Sequence, residues 1–223
     1  MTTLSKVIGI ISYLPDDTTK RSIRIQKLIN LIQKCKELFY DIPIIIVAQN
    51  WTNDLVFENV TLYKYKEPLT IVGARKELRR LFLESNYGYL IMFDDDCELK
   101  GTSASSYLKL MDENPDCYIN RGGGSLKLFA ISKSVFKQVE YDELHLEKGE
   151  GFEDWVFVKK LETLIPSEKC IKWTPDIDLE EYSQCTKDPY STWCNENANL
   201  KIIARKTDTY ILKHYGGLSK DKI

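Results

Sequence analysis

Two short runs constrain this chain more than any other feature. Ile42 to Ala48 and Tyr89 to Phe93 are almost wholly apolar. A strand with one face in water alternates apolar and polar residues, whereas one that does not alternate is covered on both faces. Each run follows a segment with helical spacing. Leu28, Ile32, Cys35 and Phe39 mark Thr18 to Tyr40 as one helix, and Leu78, Leu81 and Phe82 mark Ile71 to Glu84 as another. Val7 to Tyr13 and Val60 to Tyr65 add two strands. This alternation predicts an α/β fold, a mainly parallel sheet flanked by helices. Ligands of such sheets sit beyond the carboxyl ends of the strands.

The second half is less regular. Thr102 to Asn114 reads as a helix capped by Thr102 or Ser103. Cys117 to Asn120 and Ser125 to Ile131 read as strands around Gly122-Gly123-Gly124. A helix is expected over Phe152 to Leu164, stopped by Pro166, and a polar, loop-like stretch over about Pro175 to Pro189. Ser191 to Ala204 reads as helix and Tyr210 to His214 as a last strand. No repeat or Pro/Gly-rich linker divides the 223 residues, so one domain over 1–223 is predicted.

Bulk properties narrow the function classes. A net charge of -2 argues against nucleic acid held by bulk electrostatics. No run is long and apolar enough to span a bilayer, and the first residues lack the pattern of a secretion signal. Six scattered cysteines form no CxxC pair, which disfavours a disulfide scaffold or structural zinc and fits a reducing, cytoplasmic setting. Cys185 and Cys194 are the two spaced for a bridged loop.

The strand Tyr89 to Phe93 runs straight into Asp94, Asp95 and Asp96. Adjacent carboxylates in a cleft repel by several kcal/mol unless a cation offsets them. Oxygen ligands favour a hard ion, Mg²⁺ or Mn²⁺. In an extended segment Asp94 and Asp96 point to one side, while Asp95 faces away or makes structural hydrogen bonds. The competing reading is a solvated acidic turn. No GxxxxGK[ST] loop supports a P-loop ATPase. The first strand ends in Ser12-Tyr13-Leu14-Pro15 rather than the paired aspartates of an aspartyl-phosphate phosphatase.

Here a resemblance enters. IVGARKELRRLFLESNYGYLIMFDDDCELKG resembles the core of glycosyltransferases of the GT-A fold, with an alanine-arginine pair opening a helix, a buried strand and an acidic DxD motif. GFEDWVF is similar to the ED element of their inverting members, and RGGGSLKLFAISKSVF to their glycine-containing loop and following strand. The resemblance implies a metal-dependent enzyme that moves a sugar from a nucleotide-diphosphate donor, a UDP-sugar favoured, to a hydroxyl of a glycan, lipid-linked or protein acceptor, with inversion. Residues of about 1–100 would bind the donor, and those of about 101–223 would hold the acceptor and the base.

The resemblance also assigns residues. Asp154, backed by Glu153, is the expected general base at a helix start. Asp96, Asp94 and His214 are the expected metal ligands, with His214 otherwise a surface histidine before a glycine turn. Asp94, Asp95, Arg75, Ser12, Asn50 and Gly123 are expected at the donor. Arg75 would fork onto phosphate oxygens or else be a solvated helix arginine. Lys76, Arg79 and Arg80 read as surface charge. Relatives often place an acidic, base-reading residue after the second strand, but this chain has Gln49, Asn50 and Trp51 there. Trp173, Tyr190 and Trp193 suit an acceptor platform or core packing. Arg21, Arg24, Lys27, Lys34 and Lys36 line the polar side of the first helix, which reads as a solvated face or a contact with an anionic membrane surface. Two rivals remain, a nucleotidyltransferase acting on sugar phosphates and a non-catalytic nucleotide-sugar or glycan-binding domain.

Overall fold

The computed structural model describes residues 4–51, 56–95, 97–100, 104–120, 128–142, 153–172 and 178–181. In chain order the elements are β1 (Lys6–Tyr13), α1 (Thr18–Phe39), β2 (Ile44–Gln49), β3 (Val60–Tyr65), α2 (Ile71–Glu84), β4 (Tyr89–Asp94), β5 (Cys97–Lys100), α3 (Ser105–Glu113), β6 (Tyr118–Asn120), β7 (Leu128–Ser132), α4 (Lys133–Phe136), α5 (Glu153–Leu164), β8 (Cys170–Lys172) and β9 (Asp178–Glu181). Seven strands form one sheet in the order β3-β2-β1-β4-β7-β6-β8, and β5 pairs with β9 in a separate ribbon. β1, β2, β3 and β4 run parallel, while β7 lies antiparallel between β4 and β6. The fold is the α/β arrangement that strand–helix alternation predicts.

The unbroken apolar runs are explained by a core on each face. Ile8, Ile10, Ile44, Ile46, Ile91 and Phe93 point to the face covered by α1 and α3, where Leu28, Leu31, Ile32 and Met111 meet them. Val7, Ile45, Val47, Leu90 and Met92 point to the other face, against Leu78 and Phe82 of α2 and Phe157 of α5. Successive strand residues alternate between two interiors, so neither set is polar. Gly9 permits close approach on the second face, because a Cβ there would come within 2.7 Å of Leu90 Cδ1 and 2.9 Å of Leu78 Cδ2.

Several expectations need correction. Residues 178–181 form β9 rather than loop, because their backbone pairs with β5. β5, α4 and β8 are too short to show a period. The helix expected from Thr102 begins at Ser105, and Thr102 and Ser103 lie outside the described residues. Arg79 is not surface charge. Its Nε donates to the carbonyls of Phe136 at 3.1 Å and Val139 at 2.9 Å, its Nη1 pairs with Glu140 at 3.0 Å, and its guanidinium lies 5.5 Å from the Phe136 ring. It therefore fastens α2 to the carboxyl end of α4. Arg80 does bridge Glu77 and Glu84 on the exposed side. The elements expected over 191–204 and 210–214, and Cys185 and Cys194, lie outside the described residues. No helix among the described residues is long and apolar enough to cross a membrane.

Candidate active site

Parallel register brings the carboxyl ends of β1, β2 and β4 to one level. Tyr13 stands opposite Gln49, and Ile11 opposite Asp94. Beyond them opens a cavity of about 330 Å³. Ile11, Pro68, Leu69 and Ile71 form its apolar wall, and Ser12, Arg24, Gln49, Asp94 and Asp95 its polar side. Tyr13 stands at the rim, 38% exposed.

Two of the three acids face guanidinium groups. Asp94, the last residue of β4, lies 3.4 Å from Arg75 Nη2. Arg75 is buried in α2, also near Met92 Sδ at 4.0 Å and the Tyr141 ring at 5.9 Å. Burial excludes the solvated-arginine reading. Arg75 is not among the cavity-lining residues, and it meets the site through Asp94. Asp95 is buried and accepts a 2.7 Å bond from Ser12 Oγ. Arg24 of α1 forks onto Asp95, with Nε 3.2 Å from Oδ2 and Nη2 2.9 Å from Oδ1.

Arg21, one turn earlier, donates from Nε to the Pro15 carbonyl at 3.1 Å and from Nη2 to the Asn50 carbonyl at 2.7 Å. The polar face of α1 is thus divided. Arg21 and Arg24 are half-buried and turn toward the strand ends rather than lying on an open polar face. Lys34 bonds Glu37 on the outside.

The neighbours Gln49 and Asn50 differ. Asn50 has a left-handed backbone (φ 56°), and its Nδ2 bonds the Leu14 carbonyl and Asp16 Oδ1, each at 2.8 Å. That amide shapes the turn. Gln49 is 4% exposed and lines the cavity, and its Oε1 has no hydrogen-bond partner among the described residues. Behind it, the Tyr65 hydroxyl donates to Glu77, which also binds Arg80. Arg80 holds the Glu77 carboxyl below the usual range, and burial first, then Glu77, pushes the Tyr65 hydroxyl up to about 12.

Glu153 and Asp154 open α5, though their side chains lie outside what is described. The helix is anchored by Phe157, whose ring stacks on Tyr141 at 4.1 Å and 13° and meets Phe136 edge-on at 5.8 Å. A packed line thus runs from Asp94 through Arg75 and Tyr141 to α5. Asp96, Gly123, His214, Trp173, Tyr190 and Trp193 lie outside the described residues.

Sequence reasoning missed Arg24 as a site residue, and with it Tyr13, Ile11 and Leu69. The signal for Arg24 was present. Leu28, Leu31 and Cys35 form the buried stripe of α1, and the stripe extended back by one and two turns meets Arg24 and Arg21.

Asp94 and Asp95 by themselves do not make a cation site. Two carboxylates stand against two guanidinium groups, so this pair alone lacks the net negative charge that favours a divalent ion. Among the described residues no group of three or more His, Cys, Asp or Glu is arranged to hold a metal.

No family model and no curated protein matches the chain. Solved structures do. A glucose-1-phosphate thymidylyltransferase, as a Bacillus anthracis protein crystallised with a sucrose is described, superposes with a TM-score of 0.54 at 8% identity, over 91% of this chain and 96% of that one. GalNAc-T7 with UDP, GalNAc and Mn²⁺ gives 0.52 at 12% identity, over 80% of this chain and 44% of that one. Residues 1-349 of S. aureus TarS give 0.51 at 10% identity, over 72% of this chain and 56% of that one; the same fragment has been solved with UDP-GlcNAc. The chain thus spans little more than half of the TarS fragment. What it shares with these proteins is a GT-A-like fold, one found in nucleotide-sugar glycosyltransferases and sugar nucleotidyltransferases alike.

Proposed function

We propose that the chain is a glycosyltransferase that binds a nucleotide-diphosphate sugar in this cavity and transfers the sugar to an acceptor hydroxyl with inversion. One observation supports this reading most: a slot with an apolar wall and a buried Gln49 whose Oε1 has no partner among the described residues ends at the acids after β4's apolar run. A flat base suits the space between Tyr13 and Leu69, and an amide offers both a donor and an acceptor to its edge. Gln49 is therefore favoured over Asn50 for the base contact. Asp95 and Ser12 would meet the ribose, and Gly123 the donor sugar. UDP is the favoured nucleotide, in keeping with the UDP ligands of two structural neighbours. Asp154, with Glu153, would take the proton of the acceptor hydroxyl.

The expected Mn²⁺ or Mg²⁺ depends on Asp96 and His214 joining Asp94. A cation there would offset the charge of the leaving diphosphate. The acceptor class is a glycan, a lipid-linked sugar or a protein.

A second reading has its own support. The thymidylyltransferase neighbour matches over nearly the full length of both chains. Against it, the segment after β1, Leu14 to Asp17, lacks glycine, and the Leu14 N–H, a donor that could meet a phosphate, is already bonded to the Gln49 carbonyl at 3.1 Å.

The decisive experiment is thermal-shift screening with nucleoside diphosphates and their sugars, with and without Mn²⁺. A diphosphate sugar at one hundred times its Kd should stabilise the fold by about 2.7 kcal/mol. Stabilisation by none of them would overturn the proposal. Release of pyrophosphate from a nucleotide triphosphate and a sugar phosphate would move the assignment to the second reading.

A further inference from the structure

We propose that Arg24 is a positioning residue that makes the acidic corner passable to an anionic ligand, by neutralising Asp95. This deepens the reading of the cavity as a nucleoside-diphosphate site and rests on it.

The geometry is specific. Arg24 and Ser12 reach Asp95 from two elements far apart in sequence, α1 and the end of β1. Between them they bond both carboxylate oxygens, at 2.7, 2.9 and 3.2 Å. Asp95 is 3% exposed, so little water remains to screen its charge. A buried carboxylate without a counter-charge repels a diphosphate entering the same cavity. Asp94 has its own counter-charge in Arg75. Arg24 performs that office for Asp95, and its side chain, 23% exposed, borders the cavity itself.

Arg24 is also held in place by the helix that bears it. Arg21, three residues earlier, ties α1 to the turns after β1 and β2. The fork is therefore part of a built corner rather than a chance surface pair.

Binding of UDP and of uridine to the full chain separates this role from its alternatives. If the native chain prefers ADP, CDP, GDP or dTDP, that diphosphate and its nucleoside replace them. Arg24→Met should weaken UDP about tenfold at low salt, as expected for one lost charge near a screened anion. Uridine, which has no phosphate, should change less than twofold. In an Asp95→Asn background the same Arg24→Met change should cost less than twofold, because no bare carboxylate is left behind. Arg24→Lys keeps the charge and should stay within about threefold of native, which also guards against a Met variant that fails to fold.

An equal loss of UDP in both backgrounds would mean direct phosphate contact and would overturn the proposal. So would an equal loss of uridine, or a Lys variant as weak as Met. Those results would leave the nucleotide reading standing. A native chain that binds none of the five diphosphates would take both down.

Discussion

From β3 to β4 the sheet is parallel, its strands are six to eight residues long, and helices α1 and α2 join them. Beyond β4 it is built from β7, β6 and β8, three to five residues each, with β7 antiparallel to both its neighbours. The first region owes its precision to register, since parallel strands in step deliver Ser12, Gln49 and Asp94 to one edge. The second cannot do this, and it is held by rings instead: Tyr118, Phe129, Phe136, Tyr141 and Phe157. The candidate ligand cavity and the candidate base thus belong to parts with different sources of order.

That contrast can be broken in three ways. Asp154→Asn should lower turnover by about two to four orders of magnitude while nucleotide affinity stays native. A near-native rate, or an equal loss of nucleotide binding, would erase the division of labour. Phe157→Ala should cost about 3–5 kcal/mol in denaturant unfolding, because it removes a buried ring that touches three others. A cost under about 1 kcal/mol would mean that the rings do not hold the second region. The smallest effect belongs to Glu77 on the parallel side. Its carboxyl is held low, so its contribution is present above the ordinary carboxylate range, about 4.3, and fades as pH falls through and below it. Half-exposed Arg80 keeps the effect small, because solvent screens the pair. Glu77→Gln should flatten the acid limb of the stability curve slightly, and an unchanged limb would remove Glu77 from the account.

The parallel region was legible because its signals are local. α1, α2 and β1 to β4 appear within a few residues of the bounds that apolar period and Pro or Gly punctuation suggest. The β5–β9 ribbon was not legible, since four residues have no period and their partner is distant in sequence. At the site, strand-end position pointed to Asp94 and Asp95, and resemblance pointed to Arg75 and Ser12. The pairing of acid with arginine was hidden. The acidic run suggested an external cation, yet the balancing charges found beside Asp94 and Asp95 are side chains of α1 and α2. Charged residues on a helix read as solvated until the sheet they cover is known, and Arg24 and Arg79 were misjudged for that one reason.

The acids stand where the chain leaves one sheet and enters another: β4 ends at Asp94 and β5 starts at Cys97. β5 pairs with a strand that begins at Asp178. During synthesis the acidic corner therefore emerges long before the segment that fixes its far side. Closure of the β5–β9 ribbon is late in the maturation of the molecule, and a chain cut before residue 178 should keep the parallel strands and the Arg24–Asp95 fork yet leave the backbone edge of β5 unpaired.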